Sequence, residues 1–516
     1  MPEDEHARLT AIPHERIRDE QDRSWTMRLL DVALDPDADH EARLEALETL
    51  SELDDPRALA PLTELMEDIA VADELRDAAA DGVSIDTTPA QRAAWWASGD
   101  DVLMAHAISL MERGEGELVA EVAGDDDHPL QADALRALSR DFDEPRFHAL
   151  LIEALGHPDD DVRLQAARTL LWDEPVGAED ALILAAGDRD EAIAMAAIHA
   201  LGYYSSRRTL RALTELSTGA DDRGVRSAAG GAAEVLAEEQ FGWGVRHLYE
   251  QPAAAAHLRR WLEPVADLVP WPQERPPGGA APERGAPARS DRVTPPCAEV
   301  EAALCDLDRP WEAMRHWLVR IDWAGYAPAE RSALRQLLLE HGDREVRAIA
   351  ALALGVWRDQ PGLLRLVADR SRGVRQSAVY ALGEQPRDPL IADPLWDAML
   401  VATGIPATEA LSAYVAHAPA PEARTRLVRL AREDRRADVR QRAVVELERL
   451  KARDEIASLA DLLYAAPYGT WTFHSWLIDA IAKLGLPSPN LEHLLDVDQL
   501  HLQLSIGRLL ARDALS

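Results

Sequence analysis

Apolar positions recur at helical spacing along most of the chain, and they do so in a repeating frame. With Val162 as an anchor, one segment reads Asp159-x-x-Val162-Arg163-x-x-Ala166-x-x-x-Leu170. The frame recurs at Leu130, Ile193 and Val225, with spacings of 32, 31 and 32 residues. It returns at Val346 and Val374, 28 apart, and again at Val439, and an early copy starts at Ala42. Four positions after the anchor stands Ala in all eight copies: Ala46, Ala134, Ala166, Ala197, Ala229, Ala350, Ala378 and Ala443. Eight positions after stands Leu in seven copies, with Ala233 as the exception. Anchor, +4 and +8 share one helical face and predict a buried stripe. The small residue at +4 lets a neighbouring helix approach closely.

The polar columns predict how each helix begins. Three positions before the anchor stands Asp in six copies (Asp39, Asp127, Asp159, Asp190, Asp222, Asp343), a good N-cap that accepts from free N–H groups. Ser371 fills that column once and Arg436 breaks it. One position after the anchor stands Arg in six copies, expected to lean toward an acid in the next repeat and stack a ladder of ion pairs. A second apolar helix follows many copies, as in 146–155 and 363–367. One repeat is therefore a helical hairpin of about 30 residues.

The frame Asp-x-x-Val-Arg-x-x-Ala-x-x-x-Leu-Gly, as in Asp343 to Gly355, resembles the HEAT-repeat superfamily. Within it, the frame is most similar to the short bacterial repeats called phycobilisome-lyase HEAT-like repeats. The resemblance covers 35–67, 125–240 and 340–455; the stretches 70–120, 300–335, 390–420 and 456–516 look helical but match poorly. It implies an all-α fold, a right-handed α-solenoid of stacked hairpins whose long concave surface is built from the second helices. It says almost nothing of activity, because such repeats occur in scaffolds, lyases and DNA-repair proteins alike.

Breaks in the periodicity set the boundaries. Residues 269–296 are rich in Pro and Gly and are read as a linker or long loop. They separate an N-terminal repeat segment, 1–268, from a C-terminal one, 297–516, whose last residues, 490–516, resemble a terminal cap. A shorter insertion is expected near 81–100, and Tyr468-Gly469-Thr470-Trp471 interrupts the last repeats.

Composition narrows the function. The chain has 516 residues, 92 acids against 55 bases, and a net charge of −37, which argues against nucleic-acid binding through the overall field. Residues 1–127 carry 34 acids and 10 bases, whereas 422–453 carry 11 bases and 6 acids. Lys stands only at Lys451 and Lys483, as in a GC-rich bacterial genome. Met1-Pro2-Glu3-Asp4-Glu5-His6 is not a signal peptide, and no run of about 18 apolar residues exists to span a membrane. A cytoplasmic protein is expected. Cys297 and Cys305, if on one helix, stand about 12 Å apart along its axis. That is too far for a disulfide.

The candidate chemistry is sparse. Asp35-x-Asp37-x-Asp39 mimics the start of a calcium loop, but His40 stands where Gly is needed and Ala46 where Glu is needed, so it reads as a turn plus a helix cap. Arg424, Arg426, Arg429, Arg432, Arg435, Arg436, Arg440 and Arg442 could grip phosphates or an acidic protein, while Glu433, Asp434 and Asp438 predict local neutralisation. Trp95 and Trp96, and Trp471 with Phe473 and Trp476, are either exposed anchors for a partner or core residues of irregular repeats. His106 and His199 sit in helical patterns and read as packing residues. No metal, cofactor or catalytic motif stands out, so none is expected. The candidate partner-binding residues are Trp95, Trp96, Arg429, Arg432, Arg435, Arg436, Trp471 and Trp476.

The expected function is a non-catalytic scaffold or adaptor that binds another protein along the concave face. The acidic start of the chain points to a partner with an Arg/Lys-rich segment. The resemblance also admits a tetrapyrrole (bilin) lyase-like activity. A regulatory or immunity-type inhibitor that wraps an enzyme is a further alternative, and nucleic-acid work of the HEAT-like DNA glycosylase kind is disfavoured by the charge.

Overall fold

The structure, a computed structural model, describes residues 12–83, 87–111, 116–138, 144–171, 175–242, 246, 248, 251–269, 292–306, 308, 311–402, 404–467 and 470–515. Among them it is all-α, as the periodicity predicts; the one β feature is an isolated parallel bridge between Val293 and Ile321. The helices form two compact units. The first takes its described residues from Met1–Met111 and Glu283–Ala398, the second from Glu112–Pro282 and Met399–Ser516. Each unit thus draws on both sides of the Pro/Gly-rich stretch, a division unlike that into 1–268 and 297–516. Of that stretch, residues 270–291 lie outside the described residues.

The repeat frame folds as its columns dictate. All eight +4 alanines are fully buried, at 0 % exposure, and the seven +8 leucines are buried with them. Small side chains there let successive anchor-bearing helices stack directly. In the second unit the stack runs Gln131–Ala137, Asp160–Thr169, Glu191–Leu201, Arg223–Val235. In the first, Arg344–Trp357 packs on Arg372–Gly383 so closely that a Cβ on Gly355 would lie 3.3 Å from the Cβ of Ala381. The partner helices of these hairpins, such as Pro145–Ala154 and Ala178–Ala185, touch one another far less.

The Asp caps follow the sequence with one displacement, while Ser371 starts helix Arg372–Gly383 without a side-chain capping bond. Asp159, Asp190, Asp222 and Asp343 each accept from a first-turn N–H, at 2.8, 2.8, 3.0 and 2.7 Å. Asp39 caps His40–Leu53 through Ala42 N, and Asp35 accepts from Asp37 N, the turn-plus-cap reading of that acidic run. Asp127 caps nothing, because that helix starts only at Gln131, and His128 Nδ1 accepts from Leu130 N instead.

The +1 arginines do something the columns did not suggest. Nη1 of Arg163 donates to the carbonyls of His157 and Pro158, and Nη1 of Arg347 to those of His341 and Gly342. Arg226 and Arg375 bind the equivalent pairs, Ala220 with Asp221 and Asp369 with Arg370. In every case the acceptors stand six and five residues back, in the turn before the helix. Their carbonyls have no helical partner, so the guanidinium satisfies them. The expected ladder to the next repeat forms in two copies, Arg163 to Asp188 and Arg347 to Asp369.

Two poorly matching regions also become regular. The 81–100 stretch contains the helix Pro89–Ala97, started by a capping box between Thr88 and Gln91. In the last helix, Leu500–Asp513, nine residues are buried, and it packs against helices Thr472–Lys483 and Pro252–Leu262. Asp498, just before it, accepts from the backbone N–H groups of Arg207 and Arg208, and Leu500 N donates to Ser205 O.

Candidate functional site

The residues singled out from the sequence fall in both units, two in the first and six in the second. Trp95 is buried, and its indole N–H donates to Glu67 at 2.7 Å while its ring lies 5.3 Å from that of His106. It is a satisfied core residue, the second of its two readings, as is His106, whose imidazole burial pushes down to about 4. Trp96 beside it is half-buried. Trp471 and Trp476 are half-buried on either side of the buried His474, whose burial likewise drives it down to about 4.

The arginine stretch splits by chemistry. Arg436, 3 % exposed, forks onto Asp434 and donates to the carbonyls of Met399 and Ala402 at 2.9 and 2.8 Å. It stands in the cap column, where it works as a clamp in place of an Asp. Arg432 grips Asp461 at 2.9 and 3.1 Å. Its hydrogen bonds to Asp461 raise its pKa and lower that of Asp461. Arg440 is buried over the Phe473 ring, and Arg426 pairs with Glu422. Arg429 and Arg435 are exposed. Half of the eight, Arg424, Arg426, Arg432 and Arg436, thus stand in intramolecular ion pairs.

One concavity lies in the first unit, where matching repeats meet the poorly matching stretch 300–335. Helices Pro56–Glu67, Cys297–Cys305 and Pro328–Glu340 enclose an open groove of about 770 Å³. Leu304, Ala333, Leu337 and Pro56 supply its apolar wall. Glu301, Gln336 and Glu340 supply its polar one, and Cys305 and His341 stand between. Glu340 pairs loosely with Arg365, at 3.5 Å with both side chains more than half exposed, and accepts a long hydrogen bond from Gln336 Nε2 at 3.4 Å. Arg57, also on the groove, is engaged by Asp55 at 2.7 Å and Asp308 at 2.6 Å. The His341 tautomer is set by its neighbours. Nε2 faces the carbonyl of Leu304 at 2.9 Å and so carries the proton, and Nδ1 accepts from Asp343 N at 3.0 Å.

Behind the groove a buried polar seam joins the two chain segments of this unit. Arg23 and Asp343, both almost fully buried, pair at 2.5 Å. Arg23 also donates to the carbonyls of Leu53 and Asp54. Asp55 accepts from Thr26 and Arg57; burial works against its charge, but these hydrogen bonds prevail and hold it below the usual carboxylate range. Burial pushes the neighbouring Asp54 carboxyl up to about 6, against the pull of Arg344 at 2.7 Å. None of this was legible in the sequence, since the partners stand some 290 to 320 residues apart.

Among the described residues no group of three or more His, Cys, Asp or Glu is placed to hold a metal, and no helix is long and apolar enough to cross a membrane. Cys297 and Cys305 are both free thiols on one helix.

Residues 148–236 and 331–414 match the family of HEAT repeats. Among solved structures the chain is similar to a Kap95p complex with RanGDP, at 15 % identity over 92 % of this chain and 69 % of that one, with a TM-score of 0.27. It is also similar to Kap121p, at 12 % identity over 93 % of this chain and 50 % of that one, TM-score 0.26. A third likeness is to human deoxyhypusine hydroxylase in complex with glycerol, at 18 % identity over 68 % of this chain and 99 % of that one, TM-score 0.21. Comparison with the curated proteins finds no match.

Proposed function

We propose that this HEAT-repeat chain is a non-catalytic scaffold or adaptor of the bacterial cytoplasm, and that its partner is a protein carrying a basic segment. One observation carries the reading. In some copies of the frame apolar side chains stand exposed: Leu352 and Tyr380 at +6, Val235 and Val356 at +10 on the anchor-bearing helices, and Tyr203, also at +10, in the turn just past its helix. Tyr380 is 61 % exposed. Stacked helices repeating such positions present a surface a partner can lie along, and exposed apolar patches of this kind mark interaction sites. The net charge of −37 supplies the steering toward a basic partner. The narrower kinship with phycobilisome-lyase repeats, and the division of the array at 269–296, belong to the same proposal.

Affinity capture with the full chain and with an L352D/Y380D variant tests it, with circular dichroism as a check on folding. The expected result is a protein retained by the parent chain, weakened at high salt and lost in the variant. Identical capture by both chains at low and high salt would reject the reading.

A further inference from the structure

We infer that the groove enclosed by helices Pro56–Glu67, Cys297–Cys305 and Pro328–Glu340 is the docking site for an arginine-rich peptide segment of the partner. The inference rests on the basic-partner reading above and adds its place on the molecule. An arginine side chain has an apolar stem and a planar charged head. The groove offers the complement of both: Leu304, Ala333 and Leu337 for stems, Glu301 and Glu340 for heads. Its volume of about 770 Å³ is that of a binding cleft.

The local charges favour a cation. The one arginine on the groove, Arg57, has its guanidinium turned to Asp55 and Asp308, so it does not neutralise the acids. Glu340 holds its intramolecular partner loosely and can exchange it for a tighter one. Glu301 accepts from the Cys297 thiol at 3.3 Å, a weak donor that a guanidinium displaces without loss of fold. His341, locked in one tautomer between Leu304 and Asp343, presents no added positive charge. An anionic or purely apolar ligand would meet two carboxylates offset only by the loose Arg365 pair and weak neutral donors.

Cys305 provides a local reporter, because it is exposed on the groove. The test uses the full chain and a fluorescein-labelled hexa-arginine peptide, followed by anisotropy at about 50 mM and about 500 mM salt. In parallel, iodoacetamide labelling of Cys305 is read by peptide mass spectrometry, which separates it from the slower Cys297, whose thiol burial and Glu301 push up to about 11. Saturating peptide is expected to slow labelling of Cys305 at least fivefold, roughly the protection given by 80 % occupancy of the site. E301Q/E340Q should weaken binding about tenfold, as two partly exposed ion pairs warrant. A333W fills the groove without changing charge and should weaken binding as much.

Peptide binding with unchanged Cys305 labelling, or equal affinity in A333W, overturns the groove while leaving the basic-partner reading intact. No binding to the parent chain at low salt overturns both. Weakening in E301Q/E340Q but not in A333W reduces the contact to diffuse charge and also rejects the groove.

Discussion

Arg347 forks onto Asp369 of the next hairpin at 2.9 and 3.1 Å, and its remaining nitrogen holds the carbonyls of the turn that precedes its own helix. One side chain thus closes a turn and couples two repeats. It is 5 % exposed, so its loss leaves carbonyls and a carboxylate in a poorly hydrated place. R347A is expected to destabilise by about 3 kcal/mol, the range for breaking a buried pair. R375A, at a half-buried position where Nη1 holds the turn carbonyls of Asp369 and Arg370, should cost about 1 kcal/mol. Urea unfolding of both variants, followed by circular dichroism, checks the ranking; equal losses would contradict it.

The alanine column is a packing requirement. Ala350 and Ala378 are fully buried on adjacent stacked helices. A350L should therefore destabilise by about 1–3 kcal/mol through overpacking, although leucine is an excellent helix former. Leucine at the exposed Met195 should leave stability unchanged. A thermal midpoint for A350L at or above the parent value would refute the close-approach argument.

The arginine stretch can be dissected in the same way. R436A removes a buried fork from Asp434 and from the Met399 and Ala402 carbonyls, and should cost about 3 kcal/mol. R429A and R435A, at exposed positions, should stay within about 0.5 kcal/mol of the parent. Denaturant midpoints decide, and a large loss in R429A would show a structural role absent from the present geometry.

Two groups, the buried His474 and the part-buried Asp54, give opposite dependences on pH. His474 is neutral in the fold, with its pKa lowered from 6.5 to about 4 by burial, so its contribution is complete above pH 6.5 and is lost as pH falls toward 4. Amide exchange in helix Thr472–Lys483 should accelerate over that window beyond its intrinsic pH dependence, and H474F should flatten the response.

Asp54 has the reverse sign. Its pKa is raised from 3.8 to about 6, so its contribution is complete below pH 3.8 and is lost as pH rises through 6. D54N should therefore gain on the parent in thermal midpoint as pH is raised from 4 to 7. A constant difference between the two would show that burial of this carboxylate has no energetic consequence.

Much of the fold was legible because it is local. Anchor, Ala and Leu columns depend on helical spacing within a dozen residues, and the Asp caps on the three residues before the anchor. Legibility failed where partners are remote. The second role of Arg in the frame, closing its own turn, lies within six residues yet left no trace in composition, because the acceptors are backbone carbonyls. Trp95 looked equally fit for surface or core, and only its contact with Glu67 separates the two.

The chain's primary structure dictates that it is a stack of helical hairpins with small residues at the seams, since each repeat writes its own hydrophobic face and cap. It does not dictate which surfaces remain open. The groove at Glu301, Leu337 and Glu340 and the buried pair Arg23–Asp343 arise where segments some 250 residues or more apart along the chain meet. Such contacts follow from how whole stacks come together, and repeats that are similar to one another encode the stacking rule without encoding where distant parts of the stack will touch.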